Sequence, residues 1–245
     1  MTPDPRPGLT PPAGKPWSGH GREDLADAVR RLIELTVTSS APPRLLAEAA
    51  VRAAALADEL EHHVPEPGPE PTARFADDSL HADEAEQLAS AMPFDVVIGT
   101  CNPIAPPIVV EFEPPKAIGR VVFGPTYEGA PGLVHGAVLA SAFDIILTAA
   151  NAIVGSVGPT VSLALRYVRP TLTGEEAVFE GWVTEVTARR IFSKGRIVQG
   201  GVVTVEAEGE FAIFNQDRVN RLASSRRRSS DPGTGSADSV GTTGA

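Results

Sequence analysis

The residues best suited to chemistry lie close together, between Tyr127 and Asp144. A loop rich in glycine and proline, from Tyr127 to Gly132, leads through His135 and Gly136 into a long apolar segment. That segment predicts a helix, and a helix N-terminus presents unpaired N–H groups and the positive end of a dipole, which together favour an oxyanion. Glycine there also lets a ligand approach the backbone closely. The loop alone is equally consistent with an ordinary strand-to-helix turn.

Asp144 is the second unusual feature, because it lies in the middle of this predicted helix among apolar residues. Aspartate is a poor helix former, and burying a carboxylate is unfavourable, so a polar partner is expected to compensate. Helical spacing places Asp144 on one stripe with Ser141, Thr148 and Asn151. Two interpretations follow: a carboxylate that accepts a proton during a reaction, or one that holds a neighbouring loop.

The separation of Gly136 and Asp144 limits how they could act together. Eight residues of helix span about 12 Å, whereas a base and an oxyanion-binding N–H group must both lie within about 4 Å of the reacting atoms. One chain cannot bridge that distance. If two copies of the helix pack antiparallel about a twofold axis, Asp144 of one copy meets the N-terminus of the other, and two equivalent sites form. The sequence therefore predicts a dimeric enzyme.

The elements that must position these residues predict an α+β domain. The apolar segment between Gly132 and Ile153 predicts one long, mostly buried helix. Alternation in the final strand, with glutamates on its second face, predicts an antiparallel sheet with one buried and one solvated side. Runs rich in β-branched and aromatic residues predict strands at 96–98, 108–112, 118–123, 161–167, 178–184, 191–198 and 203–213.

Composition divides the chain into five parts. The two ends hold too few apolar residues to form a core, and a proline-rich run separates the two ordered parts. In the first ordered part, Leu25, Val29 and Leu32 recur at helical spacing, and a second run follows, so we expect a hairpin that packs on the sheet or on a dimer. The parts are a disordered leader at 1–21, a helical hairpin at 22–63, a linker at 64–92, the main domain at 93–215 and a disordered tail at 216–245.

Charge and cysteine content exclude several classes of protein. With 21 basic and 31 acidic residues the formal net charge is −10, which gives no support to a surface for nucleic acid or an anionic membrane. The single cysteine, Cys101, closes no intrachain disulfide, and no Cys/His cluster has zinc spacing. There is no signal-peptide pattern and no uninterrupted apolar run of about 18 residues. We expect a soluble, cytoplasmic protein without a metal.

These motifs resemble those of the hotdog-fold acyl-CoA thioesterases, in the group of PaaI-like and 4-hydroxybenzoyl-CoA thioesterases. Tyr127–Gly132 is similar to the family's aromatic-Glu-Gly-Pro-Pro-Gly loop, and His135–Ala137 is similar to its His-Gly-Gly. Asp144 matches its helical acidic residue, and Arg166–Pro170 looks like its Arg-x-x-Arg-Pro strand end. The resemblance covers about residues 93–215. It implies a hotdog fold, in which an antiparallel sheet wraps a long central helix.

The resemblance also implies an activity, the hydrolysis of acyl-CoA thioesters to a free acid and CoA by a homodimer or homotetramer without a cofactor. The Gly136 N–H would polarise the thioester carbonyl, and Asp144 of the facing subunit would activate water or attack directly. Thr160 matches a serine or threonine that supports the carboxylate or the water. His135 would fix the loop and contact the substrate. The other positions expected to bind substrate are Glu128, Gly129, Ala137, Arg166 and Arg169.

Some features leave alternatives open. Ala137 and Ala130 replace a glycine and a proline of the family motifs, so the fit of the acyl group could differ. Arg166 and Arg169 could pair with CoA phosphates, as could the cations at 189, 190, 194 and 196, yet any one of them could equally pair with a surface glutamate. The competing hypothesis is that the chain is a non-catalytic hotdog protein that binds acyl-CoA or another small ligand. A hotdog hydratase or dehydratase is a third hypothesis, with less support from the residues.

Overall fold

The secondary structure is taken from a computed structural model, which describes residues 20–64, 88, 92–156 and 158–213. The predicted leader, linker and tail lie almost entirely outside these residues and stay predictions. Within the described residues the elements are α1 His20–Thr38, α2 Pro43–Glu61, β1 Val109–Glu113, β2 Lys116–Val122, a 3-10 turn Pro125–Tyr127, α3 Gly136–Ile153, β3 Thr160–Tyr167, β4 Glu176–Val186, β5 Arg190–Gln199 and β6 Val202–Ala212.

The six strands form one antiparallel sheet in the order β1-β2-β4-β5-β6-β3. Strands β4, β5 and β6 are consecutive neighbours and make a meander. Gly200 and Gly201 join β5 to β6 with φ values of 57° and 78°, which glycine adopts without steric cost. This order leaves β1 and β3 at the two edges of the sheet. The predicted antiparallel sheet is confirmed.

Helix α3 lies against the sheet and forms the core with it. Phe143 packs edge-on against Phe179 of β4, with ring centroids 5.1 Å apart. Glycines let the helix approach closely: a Cβ added to Gly119 would lie 2.5 Å from the Cδ1 atom of Ile146. Among the described helices α3 is the one long and apolar enough to cross a membrane, and 56% of its span is buried inside the protein. That burial is typical of the core helix of an α+β domain.

Two local predictions in the main domain are wrong. Residues 96–98 lie in turns and not in a strand, because the Asp95 carboxylate accepts hydrogen bonds from the N–H groups of Val97 and Ile98, at 2.8 and 3.0 Å. The long helix begins at Gly136 and not near Gly132, because Gly132 has φ of 75° and cannot be helical.

The two N-terminal helices are present, and the apolar stripe predicted for the first packs in part: Leu25 and Val29 are half-buried, and Leu32 is exposed. In α1 the buried residue is Ala26, and on the same face Arg30 donates to the backbone carbonyls of Asn102 and Ala105, at 3.0 and 3.3 Å. Leu32, the third residue of the apolar stripe, is 51% exposed. Helix α2 buries none of its residues.

Candidate active site

The N-terminus of α3 carries one backbone donor without an acceptor. His135 is the N-cap residue, and its Nδ1 atom accepts a hydrogen bond from the Ala137 N–H at 3.0 Å. The N–H groups of Val138 and Leu139 both bond to the carbonyl of His135. The Gly136 N–H has no acceptor in the part of the chain that the structure describes. The Gly136 N–H, at the positive end of the helix dipole, is therefore free to donate a hydrogen bond to an oxyanion.

The cap makes His135 a stabilising residue, and its removal tests that role. Changing His135 to alanine is expected to lower the free energy of unfolding by about 1 kcal/mol, since the Ala137 N–H loses its acceptor. His135→Asn supplies a side-chain oxygen in the same place and should restore most of the loss. Urea unfolding followed by circular dichroism measures both. Equal stabilities for the alanine variant and the unmodified protein would contradict the cap.

The loop before α3 is shaped by its own hydrogen bonds. The Glu128 carboxylate accepts from the Gly132 N–H at 2.5 Å, and the Gly129 N–H donates to the Leu133 carbonyl at 2.8 Å. A Cβ on Gly129 would lie 3.0 Å from the Cα atom of His135. Glu128 and Gly129 thus fix the loop against the N-cap residue, and their contact with a substrate stays a prediction.

Asp144 lies half-buried on α3, and its partner is the first residue of β3. The Thr160 hydroxyl donates to Oδ1 of Asp144 at 2.6 Å. The Thr148 hydroxyl, which shares the polar stripe, bonds instead to the backbone carbonyl of Asp144 at 2.8 Å. Oδ2 of Asp144 accepts no hydrogen bond from the described residues. The carboxylate is thus oriented through one oxygen, and the other can accept a proton.

Strand β3 contacts both candidate residues, one at each of its ends. Thr160 begins the strand and holds Asp144, while Tyr167 ends it and donates its hydroxyl to the Gly136 carbonyl at 2.9 Å. A Cβ on Gly136 would lie 3.0 Å from the Tyr167 oxygen. We did not predict the Tyr167 contact. Its signal in the sequence is its place inside the Arg166–Pro170 motif.

The free edge of β3 is exposed and partly apolar. Among the described strands β3 pairs with β6 alone. Val161 and Tyr167 are 50% and 54% exposed. An open strand edge offers unpaired N–H and C=O groups to another strand. Within one chain Asp144 and Gly136 stay about 12 Å apart along the helix, so a site that uses both needs a second chain at this edge.

Most of the cations considered as phosphate ligands are paired with glutamates. Arg166 lies 3.7 Å from Glu206, and both side chains are exposed. The other three pairs are Arg190 with Glu210, Lys194 with Glu208 and Arg196 with Glu180. Arg169 makes no ion pair within the described ranges. Of the two arginines we predicted to bind substrate, Arg169 is therefore the more available. No group of three or more potential metal ligands occurs in the described residues.

A cavity of about 550 Å³ lies between α1, the 96–107 segment, the 3-10 turn and the first two turns of α3. Tyr127 forms part of its wall, and the backbone carbonyl of Tyr127 accepts from the His135 N–H at 2.8 Å. Burial raises the pKa of the Tyr127 hydroxyl, and the charge of Arg30 opposes that rise. This cavity is not predictable from the sequence, because its walls come from segments far apart in the chain.

The chain is similar to proteins of the thioesterase superfamily. A model of the thioesterase superfamily matches residues 131–206. The crystal structure of one thioesterase superfamily protein is 30% identical with a TM-score of 0.67, over 83% of this chain and 93% of that protein. Zebrafish thioesterase superfamily member 2 is 17% identical with a TM-score of 0.48, over 56% of this chain and 100% of that protein. The E. coli PaaI protein is 15% identical with a TM-score of 0.38, over 40% of this chain and 76% of that protein. No curated protein matches the chain.

Proposed function

The chain belongs to the thioesterase superfamily, and from this premise we propose that it hydrolyses acyl-CoA thioesters to a free acid and CoA. Its hotdog fold, in which an antiparallel sheet packs on a long central helix, confirms the fold predicted from the sequence. The proposed enzyme is a homodimer, alone or within a homotetramer, and works in the cytoplasm. Each of its two sites combines Gly136 of one subunit with Asp144 of the other.

One observation carries this proposal: β3 holds Asp144 at its first residue and Gly136 at its last, and its outer edge is open. If the β3 strand of a second copy pairs antiparallel at that edge, the two β3 strands run in opposite directions. The start of one strand then lies beside the end of the other. Asp144 of each subunit is thereby brought toward the Gly136 N–H of its twin, and a twofold axis generates two equal sites.

The reaction needs a proton acceptor and a donor to the developing oxyanion. Oδ2 of Asp144 takes a proton from water as the water oxygen bonds to the thioester carbon, and the Gly136 N–H stabilises the negative carbonyl oxygen. When the tetrahedral intermediate collapses, the C–S bond breaks and the CoA sulfur takes the proton from Asp144. In H2¹⁸O a single turnover then labels the released acid and leaves the Asp144 carboxylate unlabelled. A labelled Asp144 would identify direct attack instead.

Thr160 is proposed to position Asp144 through the hydrogen bond that its hydroxyl donates to the carboxylate. Thr160→Ala is expected to lower kcat roughly tenfold with little change in KM, because a hydrogen bond to a charged group contributes about 1.5 kcal/mol. Thr160→Ser retains the hydroxyl and should keep most of the activity. Steady-state kinetics of the two variants make the comparison. A serine variant as slow as the alanine variant would assign Thr160 to packing.

Release of free thiol from acyl-CoA esters tests the proposed activity. Purified full-length protein is incubated with acetyl-, octanoyl-, dodecanoyl- and benzoyl-CoA, the thiol is measured with a colorimetric reagent, and sedimentation gives the subunit number. Turnover by a dimer or tetramer supports the proposal. Binding of these esters without thiol release would favour the non-catalytic alternative, and a catalytically active monomer would contradict the composite site. Enoyl-CoA hydration measured by absorbance would indicate a hydratase.

A further inference from the structure

We infer that the cavity beside α1 receives the acyl group of the thioester, so that α1 sets which acyl groups the enzyme accepts. This inference rests on the proposed function and adds the substrate class to it, an apolar acyl group larger than acetyl. The volume of about 550 Å³ falls in the range of small-molecule sites. Helix α1 lies outside the part of the chain that matches the thioesterase superfamily model, which begins at residue 131.

The cavity adjoins the proposed oxyanion site through two direct connections. Val138 and Ser141 line it from the first two turns of α3, and Val138 is two residues beyond Gly136, about 3 Å along the helix axis. Tyr127 lines it as well, and its carbonyl holds the N–H of the N-cap residue His135. An acyl carbon bound at the Gly136 N–H therefore has the cavity within reach of its chain.

The lining of the cavity selects apolar groups. The apolar lining comes from Ile33 of α1, from Val96, Ile104 and three prolines of the 96–107 segment, and from Val122 of β2. The Ser141 hydroxyl is already bonded to the Val138 carbonyl. Glu34 and Arg30 also line the cavity, and the Arg30 guanidinium is already bonded to two backbone carbonyls and to the Asp27 carboxylate. Burial of apolar surface is then the main source of affinity for the acyl group.

Helix α1 is fixed in place, so its side chains form a defined wall. The Arg30 guanidinium bonds to two carbonyls of the 96–107 segment and to the Asp27 carboxylate. The Thr100 hydroxyl donates to the Glu23 carboxylate at 3.1 Å, and Arg22 lies over the Phe94 ring, with 5.8 Å to its centroid. Ile33 lies one turn after Arg30 on this docked face, whereas the neighbouring Leu32 points to solvent.

Adjacent substitutions on α1 test the inference with a matched control. Ile33→Trp fills the cavity, and Leu32→Trp adds the same side chain on the exposed face of the same helix. The unmodified protein is expected to hydrolyse dodecanoyl-CoA or benzoyl-CoA with a higher kcat/KM than acetyl-CoA. Ile33→Trp should lower the ratio of the larger ester to acetyl-CoA by about tenfold or more, whereas Leu32→Trp should leave it unchanged. The dodecanoyl and benzoyl arms separate an aliphatic from an aromatic substrate.

A second variant keeps the test valid if Ile33→Trp fails to fold. Ile104 also lines the cavity and is 58% exposed, so tryptophan at this position fits without disturbing the core and should lower the same ratio. Unchanged ratios in the folded cavity variants, or an unmodified protein that prefers acetyl-CoA, would overturn the inference while thiol release still supports the proposed function. No thiol release from any ester would overturn both.

Discussion

Replacing Asp144 with asparagine is expected to reduce kcat for acyl-CoA hydrolysis by about 10²–10⁴-fold, the contribution typical of general base catalysis. The amide has nearly the same size, and its oxygen still accepts the hydrogen bond that Thr160 now donates to Asp144 at 2.6 Å. It cannot take a proton from water. Thiol release measured at saturating substrate gives kcat, and circular dichroism with sedimentation checks that fold and subunit number are retained.

The control for this variant is Asp58→Asn, which makes the same change on the exposed helix α2. Its kcat should equal that of the unmodified protein. An Asp144→Asn protein that is folded, dimeric and as fast as the unmodified enzyme would remove Asp144 from the mechanism. A variant that loses its subunit contact would show a change in sedimentation, so loss of assembly and loss of the base are distinguished.

Gly136→Pro should lower kcat by about 10²–10³-fold, because proline removes the one N–H proposed to bind the oxyanion. Proline is well accepted at the first position of a helix. The preceding residue, His135, has φ of −64° and ψ of 132°, which is the extended conformation that proline favours before it. The helix is therefore expected to form as before, and thiol release again measures the loss.

The matched control is Gly136→Ala. Both variants add a Cβ, which meets the Tyr167 hydroxyl at 3.0 Å, but alanine keeps the N–H. Gly136→Ala should therefore report the steric effect alone, and the difference between the two variants isolates the donor. If alanine and proline reduce kcat equally, the contact with Tyr167 explains the loss, and the Gly136 N–H has no catalytic part.

Mixing the two slow variants tests whether the site is shared. After subunit exchange, half of the dimers carry one Asp144→Asn chain and one Gly136→Pro chain. If each site takes Asp144 from one subunit and Gly136 from the other, such a dimer holds one site with both defects and one intact site. Activity should then rise to about a quarter of that of the unmodified enzyme. No rise in activity after exchange would contradict a site shared between the two subunits.

The main domain was predictable from the sequence because its signals are local and repeated. Helix α3 is one long, mostly apolar segment, and β5 alternates between buried and less buried residues along its whole length, so both periods are easily detected. Asp144 stood out as a carboxylate without a visible partner. The structure supplies that partner in Thr160, sixteen residues away at the start of β3. The resemblance to known motifs had already singled out the same threonine.

Features that depend on distant contacts were not predictable. Three apolar residues at 96–98 look like a strand, but Asp95 directs their N–H groups into a turn. The packed face of α1 is decided by Arg30, which finds its acceptors more than 70 residues further along the chain. Helical periodicity marks apolar positions and says nothing about such a contact. The cavity arises from the same docking and therefore carries no signal in the sequence.

Because β3 contacts a proposed catalytic group at each end, the proposed mechanism makes activity depend on subunit assembly. Because the same strand places the acid at one end and the amide at the other, a lone subunit under the proposed mechanism has two half-sites and no whole one. Specific activity would then depend on enzyme concentration, falling toward zero once dilution passes the dissociation constant of the pair. A cell could control such an enzyme simply through its abundance.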